Sequence, residues 1–266
     1  MFLDRILTRK RSEVAAARAA DADSPLSPLP ERTIRPFEAR LRHGPAQPAV
    51  IAELKKASPS KGLLKPDYDP VALAQAYAEL PISCLSVLTD SDFQGELDHL
   101  IAVRAAVDLP LLRKDFLVDP YQVDQAYRAG ADAILLIVAA LTDAEFEAIW
   151  SRAQTLGLAC LVEVHTTAEA DRALQWPVTL LGINNRDLKT FHVDLQQTRT
   201  ILDHVGARRD GLVVISESGY STAAQVQQAR DWGIEALLIG ETFMRAPTLA
   251  AGFAQLWGQD APAGTP

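Results

Sequence analysis

A strand-then-helix unit, repeated eight times, limits what this chain can fold into more than any other feature. Apolar runs at about 49–55, 82–89, 109–116, 133–139, 158–165, 179–185, 211–217 and 236–240 read as strands. Helical stretches at about 69–80, 96–107, 120–130, 142–156, 167–175, 194–204, 221–232 and 247–257 follow them one for one. Runs such as Ala133-Ile134-Leu135-Leu136-Ile137-Val138 are apolar on both faces, as strands of a helix-covered parallel sheet must be. Asp69-Pro70 and Asp119-Pro120 each place a capping carboxylate before a proline at the first helical position. Thr142-Asp143-Ala144-Glu145 is a capping box, and Gly130 and Gly233 fall where helices stop. The units predict an α/β fold, a closed (β/α)8 TIM barrel. An open doubly wound sheet is the alternative, but no Gly-x-Gly-x-x-Gly follows the first strand to support it.

Ahead of the barrel, Phe2 to Ala20 repeats apolar positions at helical spacing. Residues 21–36 follow, with Pro25, Pro28, Pro30 and Pro36, and are expected to run as an extended arm; Phe37 to Leu41 reads as a short helix. Residues 1–47 are thus an N-terminal helical extension of a single barrel domain spanning 1–266. A net charge of −8, from 26 Lys+Arg against 34 Asp+Glu, gives no reason to expect a nucleic-acid partner. Cys84 and Cys160 sit in apolar strand runs without metal-ligand spacing and read as core residues in a reducing compartment. The opening MFLDRILTRK is too charged for a secretory leader, and no apolar run reaches spanning length, so a soluble cytoplasmic protein without a membrane partner is expected.

Barrels of this kind place their sites at the C-terminal ends of the strands, so polar residues there are informative. The first strand carries Glu53 and Lys55, two apart and therefore on one face. The third ends Leu111-Leu112-Arg113-Lys114-Asp115-Phe116, the fifth Leu161-Val162-Glu163-Val164-His165, and the seventh Ile215-Ser216-Glu217-Ser218-Gly219. All four are odd-numbered strands. Barrel interiors fill in layers drawn from alternate strands, so Glu53 or Lys55, Lys114, Glu163 and Glu217 can meet on the axis. Taken singly, Glu53 and Lys55 also read as a solvated surface pair, Lys114 as a snorkelling side chain and His165 as a loop hydrogen-bonder. Taken together, two lysines and three glutamates in a mouth walled by Phe93, Phe116 and Leu238 suit acid–base chemistry near neutral pH.

The sixth strand ends Gly182-Ile183-Asn184-Asn185-Arg186-Asp187. Asn184 can hydrogen-bond a substrate hydroxyl and Arg186 can grip a carboxylate, although Asn-Asn is also a common turn. Ser218-Gly219 ends the seventh strand, and Gly240 ends the eighth before Glu241 and Thr242. Glycines at both places let backbone N–H groups approach an anion, which predicts a phosphorylated small-molecule substrate, with Ser58 and Lys55 close enough to assist.

The motifs IAELKKASPSKG, SVLTD with Phe93-Gln94-Gly95 after it, LPLLRKDF, GADAILLI, LVEVH, GINNRDL, ISESG and LLIGETFMR stand in the order and spacing of the indole-3-glycerol phosphate synthase family. The chain resembles its monofunctional form from the first helix to the last. That resemblance implies closure of the indole ring of 1-(2-carboxyphenylamino)-1-deoxyribulose 5-phosphate in tryptophan biosynthesis, with loss of carbon dioxide and water, and with no cofactor or metal. It implies Lys114 as the general acid for ring closure, Glu163 and Lys55 as acid–base groups for the later dehydration, and Glu53 and Asn184 as orienting groups. It places Ser218, Gly219, Gly240 and Glu241 at the phosphate and Phe93, Phe116 and Arg186 at the anthranilate end, and it puts the N-terminal helix at the mouth. A monomer is expected. Two departures touch loops: Glu96 stands where many relatives have serine, and Tyr220 where an aliphatic residue is common. A Schiff-base aldolase using Lys114, a flavin-phosphate oxidoreductase and a phosphate-binding barrel without catalysis are the competing functions.

Overall fold

Strands form where the apolar runs place them. In the computed structural model, which describes residues 2–23 and 29–258, eight parallel strands close into a barrel in chain order. They are Ala49–Leu54, Cys84–Leu88, Leu111–Lys114, Ala133–Ile137, Ala159–Val164, Leu180–Asn184, Val213–Glu217 and Ala236–Ile239. The first pairs with both the second and the eighth, which completes the ring. Of all these strand residues only Lys114 and Ala159 keep more than slight exposure, so the third strand delivers a lysine to a place that water can reach.

The helices Pro70–Ala78, Leu97–Ala106, Tyr121–Ala129, Asp143–Thr155, Thr167–Ala173, Gln196–Val205, Ala223–Asp231 and Leu249–Trp257 follow the strands in turn. Their starts are set by caps. Asp69 accepts the Val71 and Ala72 amides at 2.9 and 3.0 Å, Asp119 accepts the Tyr121 amide at 2.8 Å, and Thr142 with Glu145 forms the capping box. Gly130 and Gly233 take the left-handed backbone that ends a helix, at φ 93 and 72. The third strand stops at Lys114, two residues short of Phe116, because the Asp115 carboxylate takes the Phe116 amide at 2.8 Å and turns the chain out of the ladder. Two small elements fall below the length that periodicity can register: a hairpin of Ala57–Ser58 with Gly62–Leu63 after the first strand, and a short helix Glu241–Arg245 after the eighth.

Helix Leu97–Ala106 starts at Glu96, which has extended backbone but makes no side-chain cap. A hydroxyl there would accept one of the free first-turn amides, so Glu96→Ser should stabilise the fold by about 1 kcal/mol in urea unfolding. An unchanged midpoint would show that solvent already satisfies those amides.

The N-terminal helix Phe2–Asp23 lies across the C-terminal mouth. Its Lys10 ammonium is 2.8 Å from Asp90 and 2.9 Å from Asp115, with only 5% of the side chain exposed. Arg11 meets Glu145 at 2.8 Å, Arg18 meets Asp119 at 2.7 Å, and the Phe2 ring sits edge-on to Phe191 at 5.0 Å. Every one of those partners follows the C-terminal end of a barrel strand. Pro25 and Pro28 of the arm lie outside the described residues. Helix Phe37–Arg42 packs on the first, second and seventh strands at the opposite end, where the Cys84 thiol faces the Phe37 carbonyl at 3.7 Å. The extension therefore covers both ends of the barrel. Both cysteines are free and buried, and no described helix is long and apolar enough to cross a membrane.

Candidate active site

Side-chain parity carries the charges of the odd strands inward, and the structure brings them together. Lys114 Nζ lies 2.9 Å from Glu163 Oε2 and 3.6 Å from Glu217 Oε2, and Lys55 Nζ lies 2.5 Å from Glu53 Oε2. Glycines on the even strands make the room. A Cβ on Gly182 would stand 2.4 Å from Glu217 Oε1, and one on Gly240 would stand 2.4 Å from Glu53 Oε2. This revises the expectation for Gly240: its missing side chain first serves a carboxylate on the neighbouring strand, whatever its amide offers an anion. Gly182→Ala should displace Glu217, cost about 1–3 kcal/mol of stability and lower kcat. Unfolding and turnover measured together check this, and an unchanged kcat would show that Glu217 can move without consequence.

One lysine cannot neutralise every carboxylate around it, so the carboxyl groups differ in their protonation. Burial by itself lowers Lys114, yet Glu163, Glu217 and Glu53 outweigh it and hold the ammonium charged well above the ordinary lysine value. At Glu163 burial raises the carboxyl, but Lys114 and then His165 overcome it and keep the group ionised below the usual range. At Glu217 burial wins. Lys114 opposes it, while Glu163 and Glu53 add to it, and Glu217 is pushed well above the carboxylate range. The result is a cation, an anion and a neutral acid within one cluster.

Every residue expected at the site lines one cavity of about 770 Å³ at the mouth. Its floor holds Glu53, Lys55, Lys114, Glu163, Asn184 and Glu217. Phe93, Phe116 and Leu238 are on the wall, and Ser58, Ser218, Gly219, Gly240, Glu241 and Arg186 complete the lining. Asn184 Oδ1 accepts from Ser218 Oγ at 2.9 Å and from the Arg186 amide at 3.0 Å, so one side chain ties the ends of strands six and seven. Ser218 and Gly219 have left-handed backbone, φ 70 and 97. Arg186, expected at the anthranilate end, lies 3.7 Å from Glu241, expected at the phosphate; Glu241 also holds Arg245 at 3.0 Å. Those two expectations meet at a single point of the rim.

Several contributors escaped the sequence. Leu135 and Ile137 of the fourth strand form apolar wall, but nothing distinguishes them from other core residues in a near-continuous apolar run. Phe2 and Phe191 line the cavity from two distant segments. His165 stands with Nε2 3.3 Å from Glu163 and Nδ1 3.4 Å from Glu169, so its position beside the charged cluster is more than a loop contact. Asn185 faces out of the barrel and is structural: its Nδ2 donates to Ser216 Oγ at 3.0 Å, and its Oδ1 accepts from Thr198 at 2.7 Å. Tyr220, the departure noted above, joins the same network through a hydroxyl that donates to Ser216 Oγ at 2.8 Å. Among the described residues no group of three or more His, Cys, Asp and Glu side chains is arranged to hold a metal ion.

Acid and base groups set apart in this way, at the C-terminal mouth of a closed barrel, define an acid–base enzyme of the (β/α)8 class. The chain matches the family model described as indole-3-glycerol phosphate synthase over residues 3–256, and it belongs to that family. Relatives bearing that name include one from Polaromonas sp., 47% identical over 97% of this chain and 99% of its own length. Another, from Laribacter hongkongensis, is 49% identical over 96% and 98% respectively. Among solved structures, KGPDC from Streptococcus mutans is similar at a TM-score of 0.56 with 14% identity, covering 77% of this chain and 93% of that one. A likeness at that identity speaks for the barrel fold alone.

Proposed function

We propose that this protein converts 1-(2-carboxyphenylamino)-1-deoxyribulose 5-phosphate to indole-3-glycerol phosphate, carbon dioxide and water, working as one barrel domain with its helix and arm as an extension. The observation that carries this is the Lys114 ammonium, held charged between Glu163 and Glu217 at the floor of a largely apolar mouth. Ring closure needs a weak carbon nucleophile, the ring carbon bearing the carboxylate, to attack a ketone. A buried cation that protonates the developing alkoxide lowers that barrier where water cannot do so efficiently. The new carbon–carbon bond leaves an iminium, which accepts the electron pair when the carboxylate departs as carbon dioxide. Dehydration follows: an acid protonates the leaving hydroxyl and a base takes a proton to complete the aromatic pyrrole. Glu163, ionised beside Lys114, is the base in this scheme, and Lys55 with Glu53 serves the proton transfers around it.

Phe93 and Phe116 would sandwich the anthranilate ring, with Arg186 near its carboxylate. The phosphate would reach Ser218, Gly219 and Gly240, meeting the backbone of Glu241 because that carboxylate is engaged by Arg186 and Arg245. The carboxylates that hold Lys114 protonated in the resting site also argue against an imine mechanism, which requires a neutral amine. The deciding experiment follows the fluorescence of the indole product formed from synthetic substrate, with borohydride trapping alongside. A folded protein that makes no indole-3-glycerol phosphate, or one that accumulates a trapped Lys114 adduct during turnover, removes the proposal.

A further inference from the structure

The reaction assigned to the mouth takes up a proton. The substrate carboxylate carries a negative charge and leaves as neutral carbon dioxide, its electron pair passing to the iminium. Lys114 gives a proton to the ketone oxygen, a second acid gives one to the departing hydroxyl, and Glu163 takes one back. Each turnover therefore leaves the cluster one proton short, and solvent must restore it. Bound substrate would occupy the cavity through which Lys114 meets water, so a route behind the cluster has a use.

His165 occupies that position. It follows the fifth strand and is not among the residues that line the mouth cavity. Glu163 turns Oε2 to Lys114 at 2.9 Å and Oε1 to His165 Nε2 at 3.3 Å. On the far side of the ring, Nδ1 lies 3.4 Å from Glu169 Oε2, on helix Thr167–Ala173. Side-chain exposure is 2% at Glu163, 10% at His165 and 21% at Glu169, so the three groups lead from the floor of the barrel towards solvent. Both ring nitrogens are shielded from water, and neither contact is an aligned hydrogen bond in the resting protein. The ring is thus within reach of two carboxylates and locked to neither. An imidazole so placed can accept a proton on one nitrogen and give one from the other.

The backbone around the ring is fixed. Gln197, on helix Gln196–Val205, donates to the His165 carbonyl. Glu169 Oε2 accepts the His165 amide at 2.8 Å, while the Glu169 amide donates to Thr166 Oγ1 at 3.1 Å. The ring faces Glu163 on its own strand, Glu169 on the following helix and Lys114 on the third strand. Burial alone lowers the imidazolium, but Glu169 and Glu163 outweigh it, against Lys114, and raise it above the ordinary histidine value.

We infer that Glu169 and His165 form a proton relay that recharges Glu163 and Lys114 from solvent after each turnover. Water protonates Glu169, which passes a proton to Nδ1; Nε2 gives its own proton to Glu163, and Glu163 hands one to Lys114. A half-turn of the ring restores the starting tautomer. His165 touches no substrate and acts through Glu163. The relay rests on the reaction proposed for the mouth.

The test is steady-state turnover of the synthetic substrate in weak buffer, from mildly acidic to mildly alkaline pH, for wild type, His165→Gln and Glu169→Gln. Glutamine at 169 keeps an oxygen for the His165 amide, so it removes the titrating group and leaves the cap; it also keeps the test decisive if His165→Gln does not fold. Both variants should lose about tenfold in kcat, less than the roughly hundredfold expected for a group acting on substrate itself, and the loss should deepen as protons become scarce. kcat/KM should change far less, because carbon dioxide leaves irreversibly before the relay is needed. Imidazole added as a proton carrier should restore kcat in His165→Gln and leave wild type as it was. Equal losses of kcat and kcat/KM, without rescue by imidazole, would make His165 only a counter-ion that positions Glu163 and would overturn the relay. Wild-type kcat in both variants would do the same. With a wild type that turns over normally, either result sinks the relay alone, whereas a wild type that makes no indole-3-glycerol phosphate removes the relay together with the reaction it serves.

Discussion

Lys114→Met is expected to lower kcat by about two to four orders of magnitude, the range for loss of a positioned general acid. The substitution keeps length and apolar stem but removes the proton donor, so substrate can still enter while the ketone loses its acid. It has a second, structural consequence. Lys114 is the common counter-ion of Glu163 and Glu217, at 2.9 and 3.6 Å, and without it buried carboxylates face one another. The folded pKa of Lys114 lies above its unfolded value, so its stabilisation is fully present below 10.5 and is lost only as pH climbs through the folded value. At neutral pH the variant therefore loses all of it. Urea midpoints should drop at neutral pH and recover on mild acidification, when protons replace the missing ammonium. Lys114→Arg separates the two roles: a guanidinium keeps the charge and much of the stability, but it gives up its proton too reluctantly to restore turnover. Wild-type-like turnover in either variant would take the first chemical step away from Lys114.

Glu163→Gln should lower kcat by about two to three orders of magnitude while KM changes little, because the base acts in the transition states and not in holding substrate. The informative comparison is Glu217→Gln. Burial and its carboxylate neighbours already favour the neutral form of Glu217, and an amide imitates that form. That variant should stay close to wild type near neutral pH, although Glu217 is as deeply buried and lies on the same lysine. Its signature lies in stability. A carboxyl whose folded pKa is raised contributes stability below its unfolded value and loses it as pH rises through the folded value, so wild type should weaken as pH rises from 4.5 to about 8, and Glu217→Gln should flatten that decline. Equal kcat losses in the two variants would mean that both carboxylates act as bases.

The barrel was legible because each unit announces itself locally: apolar runs mark the strands, Asp69 and Thr142 mark helix starts, and Gly130 and Gly233 mark helix ends. Much of the site was legible for the same reason. Lys114, Glu163 and Glu217 are charged residues at the ends of strands that have no other use for them, and strand parity turns them inward. Boundaries were less so, since the third strand stops where the Asp115 side chain competes for backbone, and a five-residue helix carries no period.

What the sequence by itself determined, then, was the repeat, the closed fold it requires, the family, and which charged side chains face the axis. Only the tertiary structure decided how those charges share their protons, because that depends on separations across the barrel between residues far apart in the chain. It also decided that Gly182 and Gly240 make room for carboxylates, that Lys10 pins the first helix over the mouth through Asp90 and Asp115, and that His165 stands between Glu163 and Glu169. Local patterns follow from the chain's own periodicity, whereas desolvation and Coulomb energies are set by whatever neighbours folding brings within a few ångströms.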